Sequence, residues 1–217
     1  MAIITAIKQQ KRNSERFNVF LDGQFAFGLS ADIAAGLRLG QELSAAQIFN
    51  LQQDDETEKA RIKALQLIGR RPRSVAEIER NLRKNRYDDQ VIERVITRLN
   101  DTELLDDFAF ASYWVEQRET FRPRSKLALR QELQLKGVSR TVIDTVLIEV
   151  DEESAAHHVG QKRAVRWIGL PEKEFRMKLG RFLQQRGYPY DVVNMTIDKI
   201  WQKFSEEQDL DFNQSDH

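Results

Sequence analysis

Two short motifs of this 217-residue chain carry side chains that could take part in catalysis or bind a metal ion. His157 and His158 are adjacent, so on a helix they point to different sides and do not form the i, i+4 pair that binds zinc. Asp106 and Asp107 are paired carboxylates, but they directly precede an apolar run, where an aspartate caps the first turn of a helix. The chain has no cysteine, and it lacks the sequence motifs of glycine-rich phosphate loops, zinc proteases and serine hydrolases. We therefore predict a protein that is not an enzyme and that uses no metal ion or cofactor.

A basic turn that opens a helix is the motif best suited to binding. Residues 71–74 (RPRS) recur 51 residues later as residues 122–125 (RPRS), and we call these two segments the arginine turns. Proline ends the preceding helix, and serine caps the next one. Backbone N–H groups at a helix start bind anions, and flanking guanidinium groups add paired hydrogen bonds. We expect the arginine turns to contact a phosphate backbone or an acidic protein surface.

The elements that would position these turns repeat along the chain. From about residue 58 onward, a helical pattern with one apolar stripe is written three times at a period of roughly 50 residues. The stripe comprises Val91, Ile92, Val95, Ile96 and Leu99, then Val142, Ile143, Val146, Leu147 and Val150, then Val192, Val193, Thr196, Ile197 and Ile200. The pattern predicts a mainly α protein with three tandem three-helix repeats that form an elongated stack.

The turns between helices follow the same period. Gly137 and Gly187 stand where the end of a helix needs a residue in the left-handed conformation. Arg86 takes this place in the first repeat, so we expect either a small backbone strain there or a different end to the helix. The third repeat has Phe175 at the place of the capping serine.

The first 50 residues differ from the rest, because they are rich in β-branched and aromatic residues. Asp22-Gly23 lies between two apolar runs, which predicts a tight hairpin in which both central residues take positive φ. Ser44 followed by Gln47 predicts a capping box at the start of a helix. We predict a small three-stranded, β-rich N-terminal extension, and the predicted domains are residues 1–50, 51–107, 108–153, 154–205 and a disordered acidic tail, 206–217.

Charge is balanced overall, with 34 basic and 34 acidic residues, but it alternates along the chain. Acidic clusters fall around the joints between repeats, and basic residues gather within each repeat. The repeated basic segments can form a positively charged binding surface, or they can simply be a solvated helix face. Arginine outnumbers lysine in these segments, which favours binding because arginine is the better interface residue. The predicted binding residues are Arg71, Arg73, Arg83, Lys84, Arg122, Arg124, Lys126, Arg130 and Lys136.

The chain resembles the RecX family, the bacterial regulators of the RecA recombinase, over essentially its whole length. Arg86 departs from the family, which usually has glycine there. The segments that carry the resemblance are residues 20–23 (FLDG), 25–28 (FAFG), the first arginine turn ahead of Glu77-Ile78, residues 104–107 (LLDD) before 110–111 (FA), and Leu133 before 136–138 (KGV).

This resemblance implies a function in DNA repair and homologous recombination, including the SOS response. Family members are built of tandem three-helix units, bind the groove of the RecA–DNA filament, and usually inhibit its ATPase, strand-exchange and co-protease activities. Several members also bind DNA, and none is an enzyme. The expected partners are therefore the RecA filament and single- or double-stranded DNA.

Two other functions stay open at this point. A stand-alone nucleic-acid-binding module would use the helix-turn-helix-like segment from Leu133 to Val146, and it predicts salt-dependent DNA binding without RecA. A metal-dependent nuclease would use Asp106 and Asp107, and it predicts DNA cleavage with magnesium. No apolar run approaches the ~18 residues that span a bilayer, and residues 1–7 lack the features of a signal peptide. We expect a cytoplasmic monomer with no membrane or small-molecule partner.

Overall fold

The computed structural model describes residues 1–214, with side chains described to residue 206. The chain divides into two compact units, Met1–Leu105 and Asp106–His217. Most of the described residues are helical, and a small antiparallel sheet forms the N-terminal part.

The N-terminal sheet has four antiparallel strands in the order β3-β2-β1-β4. The strands are β1 (Ala2–Gln10), β2 (Asn13–Leu21), β3 (Gln24–Ser30) and β4 (Glu42–Leu43). The predicted three-stranded meander is confirmed as β1–β3. Sequence inspection missed β4, because a two-residue strand that pairs with the start of β1 leaves no alternating pattern.

The turn between β2 and β3 has the predicted geometry. Asp22 has φ 49° and Gly23 has φ 85°, so both central residues are in the left-handed region. One face of the sheet packs against α1 (Ala31–Ala34) and the start of α2 (Ala45–Ile68), and it buries Ile4, Val19 and Leu29.

The first repeat consists of α2 (Ala45–Ile68), α3 (Val75–Lys84) and α4 (Asp89–Asp101). α2 begins well before residue 51, because Ser44 and Gln47 form the predicted capping box. The apolar stripe of α4 is fully buried against α2 and α3.

The second unit contains the other two repeats. The second comprises α5 (Asp107–Phe121), α6 (Lys126–Leu135) and α7 (Arg140–Val146). The third comprises α8 (Glu152–Ala164), α9 (Glu172–Gln184) and α10 (Tyr190–Gln214), with a 3-10 turn at Val165–Trp167. The three predicted three-helix repeats are therefore confirmed. The predicted disordered tail, residues 206–217, lies almost wholly outside the residues whose side chains are described.

Equivalent positions of the repeats have equivalent roles in the cores. The residues with no exposed surface include Ile78, Leu129 and Leu179 in one set and Leu82, Leu133 and Leu183 in the other. Burial of each such side chain contributes roughly 1.5–3 kcal/mol. The shared period therefore comes from three small cores built in the same way.

The joints between helices also repeat. Arg86, Gly137 and Gly187 have φ values of 65°, 84° and 87°, so of the two alternatives for the first repeat the structure shows an arginine in the left-handed conformation. Ser74 and Ser125 cap α3 and α6 and are completely buried.

The third repeat lacks the capping serine. α9 begins one turn earlier, after Pro171, without a side-chain cap. Phe175 at the serine's place is completely buried in the core of the repeat, so this position packs the core instead of starting the helix.

Candidate partner-binding residues

Asp106 has a structural role at the start of α5. Its carboxylate accepts hydrogen bonds from the backbone N–H groups of Phe108 at 2.7 Å and Ala109 at 3.1 Å. This confirms the predicted N-cap and gives no support to a nuclease that uses Asp106. Within the described part of the chain, no group of three or more His, Asp or Glu side chains could hold a metal ion.

The first arginine turn is neutralised by its own helix. Arg71 donates two hydrogen bonds to the carboxylate of Glu77, at 2.8 and 3.1 Å, and Arg73 lies 4.0 Å from the same carboxylate. Glu77 is on the first turn of α3, directly beside both guanidinium groups. Much of the positive charge that the sequence suggested here is therefore already paired.

The second arginine turn lacks this acidic partner, because Ala128 occupies the position equivalent to Glu77. Arg122 is exposed, and among the described residues its side chain has no hydrogen bond or ion pair. Arg124 donates to the backbone carbonyl of Gln185 at 3.2 Å, a neutral acceptor. The positive charge of the second arginine turn is therefore not neutralised by a carboxylate, whereas that of the first arginine turn is.

The other predicted residues differ in how much of their charge is available. Arg83 pairs with Asp89 at 3.0 Å, and Arg130 pairs with Asp144 at 2.7 Å. Lys84 is exposed near the end of α3. The ammonium group of Lys126 lies 3.4 Å from a backbone carbonyl of α7's C-terminal turn, and that of Lys136 lies 4.8 Å from the Trp114 ring centre.

Two arginines of the third repeat join the second arginine turn, although sequence analysis did not select them. The backbone N–H of Ser125 donates to the carbonyl of Arg186 at 3.2 Å. Arg163 and Arg186 both lie over the ring of Phe182, at 5.3 and 4.2 Å from its centre. We call Arg122, Arg124, Arg163 and Arg186 the junction cluster. One feature of the sequence points to this site: Ala128 stands where the first repeat has the acidic Glu77, so the second arginine turn lacks that acidic partner.

The positive charges of the junction cluster affect the pKa values of groups within it. The pKa of Arg186 is lowered, first by burial and then by the positive charges of Arg124, Arg122 and Arg163. Burial also raises the pKa of Tyr188 to about 12, against the opposing effect of Arg186. The guanidinium groups therefore lie close enough to repel one another.

In the first unit, Arg71 and Arg73 lie around Glu77. In the second unit, Arg124 contacts the third repeat. Across residues 1–214, no helix is both long enough and apolar enough to cross a bilayer.

Four family profiles match successive parts of the chain. They are the regulatory protein RecX N-terminal domain over residues 2–44, the RecX first three-helix domain over 60–99, the second over 106–147 and the third over 151–197. Together they follow the N-terminal sheet and the three repeats described above.

Relatives with the name Regulatory protein RecX are similar along most of the chain. The Bacillus subtilis protein is 34% identical over 206 residues, which cover 92% of this chain and 78% of that protein. The Halalkalibacterium halodurans protein is 34% identical over 218 residues, which cover 96% of this chain and 82% of that protein.

Solved structures agree with these relatives. A crystal structure of regulatory protein RecX superposes with a TM-score of 0.74 at 26% identity, covering 91% of this chain and all of that one. RecX from Lactobacillus salivarius shares the fold, with a TM-score of 0.61 at 21% identity over 68% of this chain and 97% of that one. The sheet, the three repeats, the profiles and the relatives lead to one conclusion: the chain belongs to the RecX family of regulatory proteins.

Proposed function

We propose that this protein binds the RecA recombinase filament in the cytoplasm and inhibits its ATPase, strand-exchange and co-protease activities. Membership of the RecX family supports a regulatory function. The resemblance to this family implies RecA as the target. The observation that carries the proposal is the match of all four RecX domains in order along one chain.

The second arginine turn is the part of the surface best suited to this contact. Arg122 and Arg124 have no carboxylate partner among the described residues, so their guanidinium groups can pair with an acidic RecA surface or with the DNA backbone of the filament. The first turn contributes less, because Glu77 already holds Arg71 and competes for Arg73. Several modest contacts from different repeats would act together through effective concentration.

The test is RecA-driven ATP hydrolysis on single-stranded DNA, measured at increasing concentrations of this protein. For Arg122→Ala with Arg124→Ala, we expect the half-inhibitory concentration to rise at least tenfold, because two charge-assisted hydrogen-bonding groups are lost. For Arg71→Ala with Arg73→Ala, we expect a rise of less than threefold. Circular dichroism checks that both variants fold. If the Arg122 and Arg124 variant inhibits like the wild type, this site assignment is wrong.

A stand-alone nucleic-acid-binding module is the second candidate, and the unpaired side chain of Arg122 is the observation that favours it. It predicts DNA binding without RecA whose affinity falls steeply with salt. Fluorescence anisotropy with labelled DNA, with and without RecA, separates the two functions. Equal affinity for bare DNA and for RecA-coated DNA would favour the module and would contradict the proposed regulator.

A further inference from the structure

The junction cluster lies where the second and third repeats meet inside the second compact unit. Two hydrogen bonds to the α9–α10 turn hold the second arginine turn there, from Arg124 to the carbonyl of Gln185 and from the Ser125 N–H to the carbonyl of Arg186. The contact is close, since a side chain added at Gly187 would come within 2.6 Å of the Ser125 hydroxyl. Tertiary packing therefore holds the second arginine turn against the α9–α10 turn of the third repeat.

Aromatic rings fix the two guanidinium groups that the third repeat contributes. Arg186 lies 4.2 Å from the ring centre of Phe182, and Arg163 lies 5.3 Å from the same ring and 5.2 Å from that of Trp167. The ring contact holds the plane of each guanidinium in one orientation. Part of the conformational entropy that ligand binding would otherwise remove is already lost.

The junction cluster differs from other arginines of the second unit in how its charges are paired. Surface arginines such as Arg118, Arg130 and Arg176 in the same unit are paired with carboxylates at 2.5–2.7 Å. By contrast, the four arginines of the junction cluster form no ion pair with any residue whose side chain is described.

The junction cluster also has polar atoms that are buried without a partner. Three polar groups are buried and form no hydrogen bond with any described residue: the Nε–H groups of Arg163 and Arg186 and the hydroxyl of Tyr188. Two carboxylates, Glu119 and Glu152, are near enough to act on Tyr188, but neither forms an ion pair with the four arginines; one oxygen of Glu152 accepts from the backbone N–H of Lys126 at 2.8 Å. A bound anion would accept hydrogen bonds from unsatisfied donors, and its negative charge would reduce the repulsion between the guanidinium groups.

We propose that the junction cluster is a phosphate-binding site, and that a phosphate group bound there ties the second repeat to the third. Planar guanidinium groups match phosphate oxygens through paired hydrogen bonds, and several of them suit the concentrated charge of a phosphate better than the single charge of a side-chain carboxylate. The four like charges repel one another when no anion is bound. A bound phosphate therefore also stabilises the contact between the second and third repeats. Phosphodiester groups of a nucleic acid and free inorganic phosphates share this chemistry.

The experiment observes the arginine side chains directly by NMR on the full ¹⁵N-labelled chain, without RecA. The buried Nε–H groups of Arg163 and Arg186 are shielded from solvent exchange, so their signals are suitable probes. Pyrophosphate is titrated into the sample, and the chloride concentration is lowered at each step so that the ionic strength stays constant. Both signals should shift together and saturate with one dissociation constant, while the signal of Arg176, which is bonded to Glu172, stays unchanged.

Matched variants connect the signal to the site. Arg163→Gln with Arg186→Gln should weaken pyrophosphate binding at least tenfold by calorimetry. The control, Arg140→Gln with Arg176→Gln, removes the same charge from the same unit and should weaken it less than twofold. If the first variant unfolds, Arg122→Gln replaces it, because that side chain is exposed, and we expect at least threefold weaker binding.

Competition distinguishes the sources of phosphate. A short oligothymidylate that displaces pyrophosphate identifies a nucleic-acid backbone as the ligand, and pyrophosphate binding without displacement identifies a free phosphate. The proposal is overturned if the shifts do not saturate, if the control variant weakens binding as much as the site variant, or if oligoglutamate of equal charge binds as tightly. Since the assay contains no RecA, its failure is separate from failure of the proposed function.

Discussion

Asp55 is the residue whose replacement should most disturb the first unit. It is 2% exposed, and its carboxylate accepts from both terminal nitrogens of Arg16, at 3.1 and 2.9 Å, and from the Ser30 N–H at 2.8 Å. Lys59 completes the cluster with an ion pair at 2.7 Å. These contacts join β2 and the end of β3 to α2.

Asp55→Asn keeps the shape of the side chain, but it removes the charge and turns two amide donors toward cationic neighbours. Loss of the buried pair with Arg16 should lower the free energy of unfolding by about 3–4 kcal/mol. Urea unfolding followed by far-ultraviolet circular dichroism measures this loss, and hydrogen exchange of β2 locates it. Asp54→Asn is the matched control, because Asp54 is exposed, and its effect should be within about 0.5 kcal/mol. A loss below about 1 kcal/mol for Asp55→Asn would refute the reasoning.

The same carboxylate predicts an acid dependence. Burial acts to raise the pKa of Asp55, but its bonds to Arg16, Lys59 and Ser30 outweigh burial and lower the pKa below the ordinary 3.8. The stability that Asp55 contributes is therefore present above its unfolded pKa and is lost as the pH falls through the lower folded pKa. In Asp55→Asn this part of the acid transition should disappear, whereas an unchanged pH profile would contradict the assignment.

Three further substitutions test the joints and the arginine turns. Gly187→Ala should destabilise the second unit by about 1–3 kcal/mol in urea unfolding followed by far-ultraviolet circular dichroism, because φ is +87° and the new methyl meets Ser125. Gly23→Ala, with similar φ and open space, is the control and should cost less in the same assay. Arg86→Gly should stabilise the first unit by about 0.5–1 kcal/mol in urea unfolding, since it removes left-handed strain, and a loss of stability would contradict this. Glu77→Ala should free the first arginine turn and lower the half-inhibitory concentration in the RecA ATPase assay; an unchanged value would show that its pairing is irrelevant.

The repeats could be predicted from the sequence because their signals are local or periodic. Leu82, Leu133 and Leu183 recur at a nearly fixed spacing, and each is buried in its own repeat. The positive φ of Arg86 follows from its alignment with Gly137, because the backbone conformation of a turn is retained when its side chain changes.

The features that could not be predicted depend on residues far apart in the chain. Asp55 stands in one of the acidic clusters that the sequence places around the joints, and nothing local shows that Arg16, 39 residues away, pairs with it in a buried position. Arg163 and Arg186 join the second arginine turn only through tertiary packing. The pairing of Arg71 with Glu77 could not be predicted either, because a separation of six residues does not determine the side-chain rotamers that bring the two groups together.

The central claim, that this RecX protein acts on the RecA filament, is tested most directly by a pull-down on RecA filaments assembled on immobilised single-stranded DNA. We predict that the wild-type protein is retained on RecA-coated DNA at a salt concentration where bare DNA does not retain it. We also predict that Arg122→Ala with Arg124→Ala reduces retention at least tenfold. Absence of the wild-type protein from the RecA-coated DNA, or equal retention on bare DNA, would contradict the account.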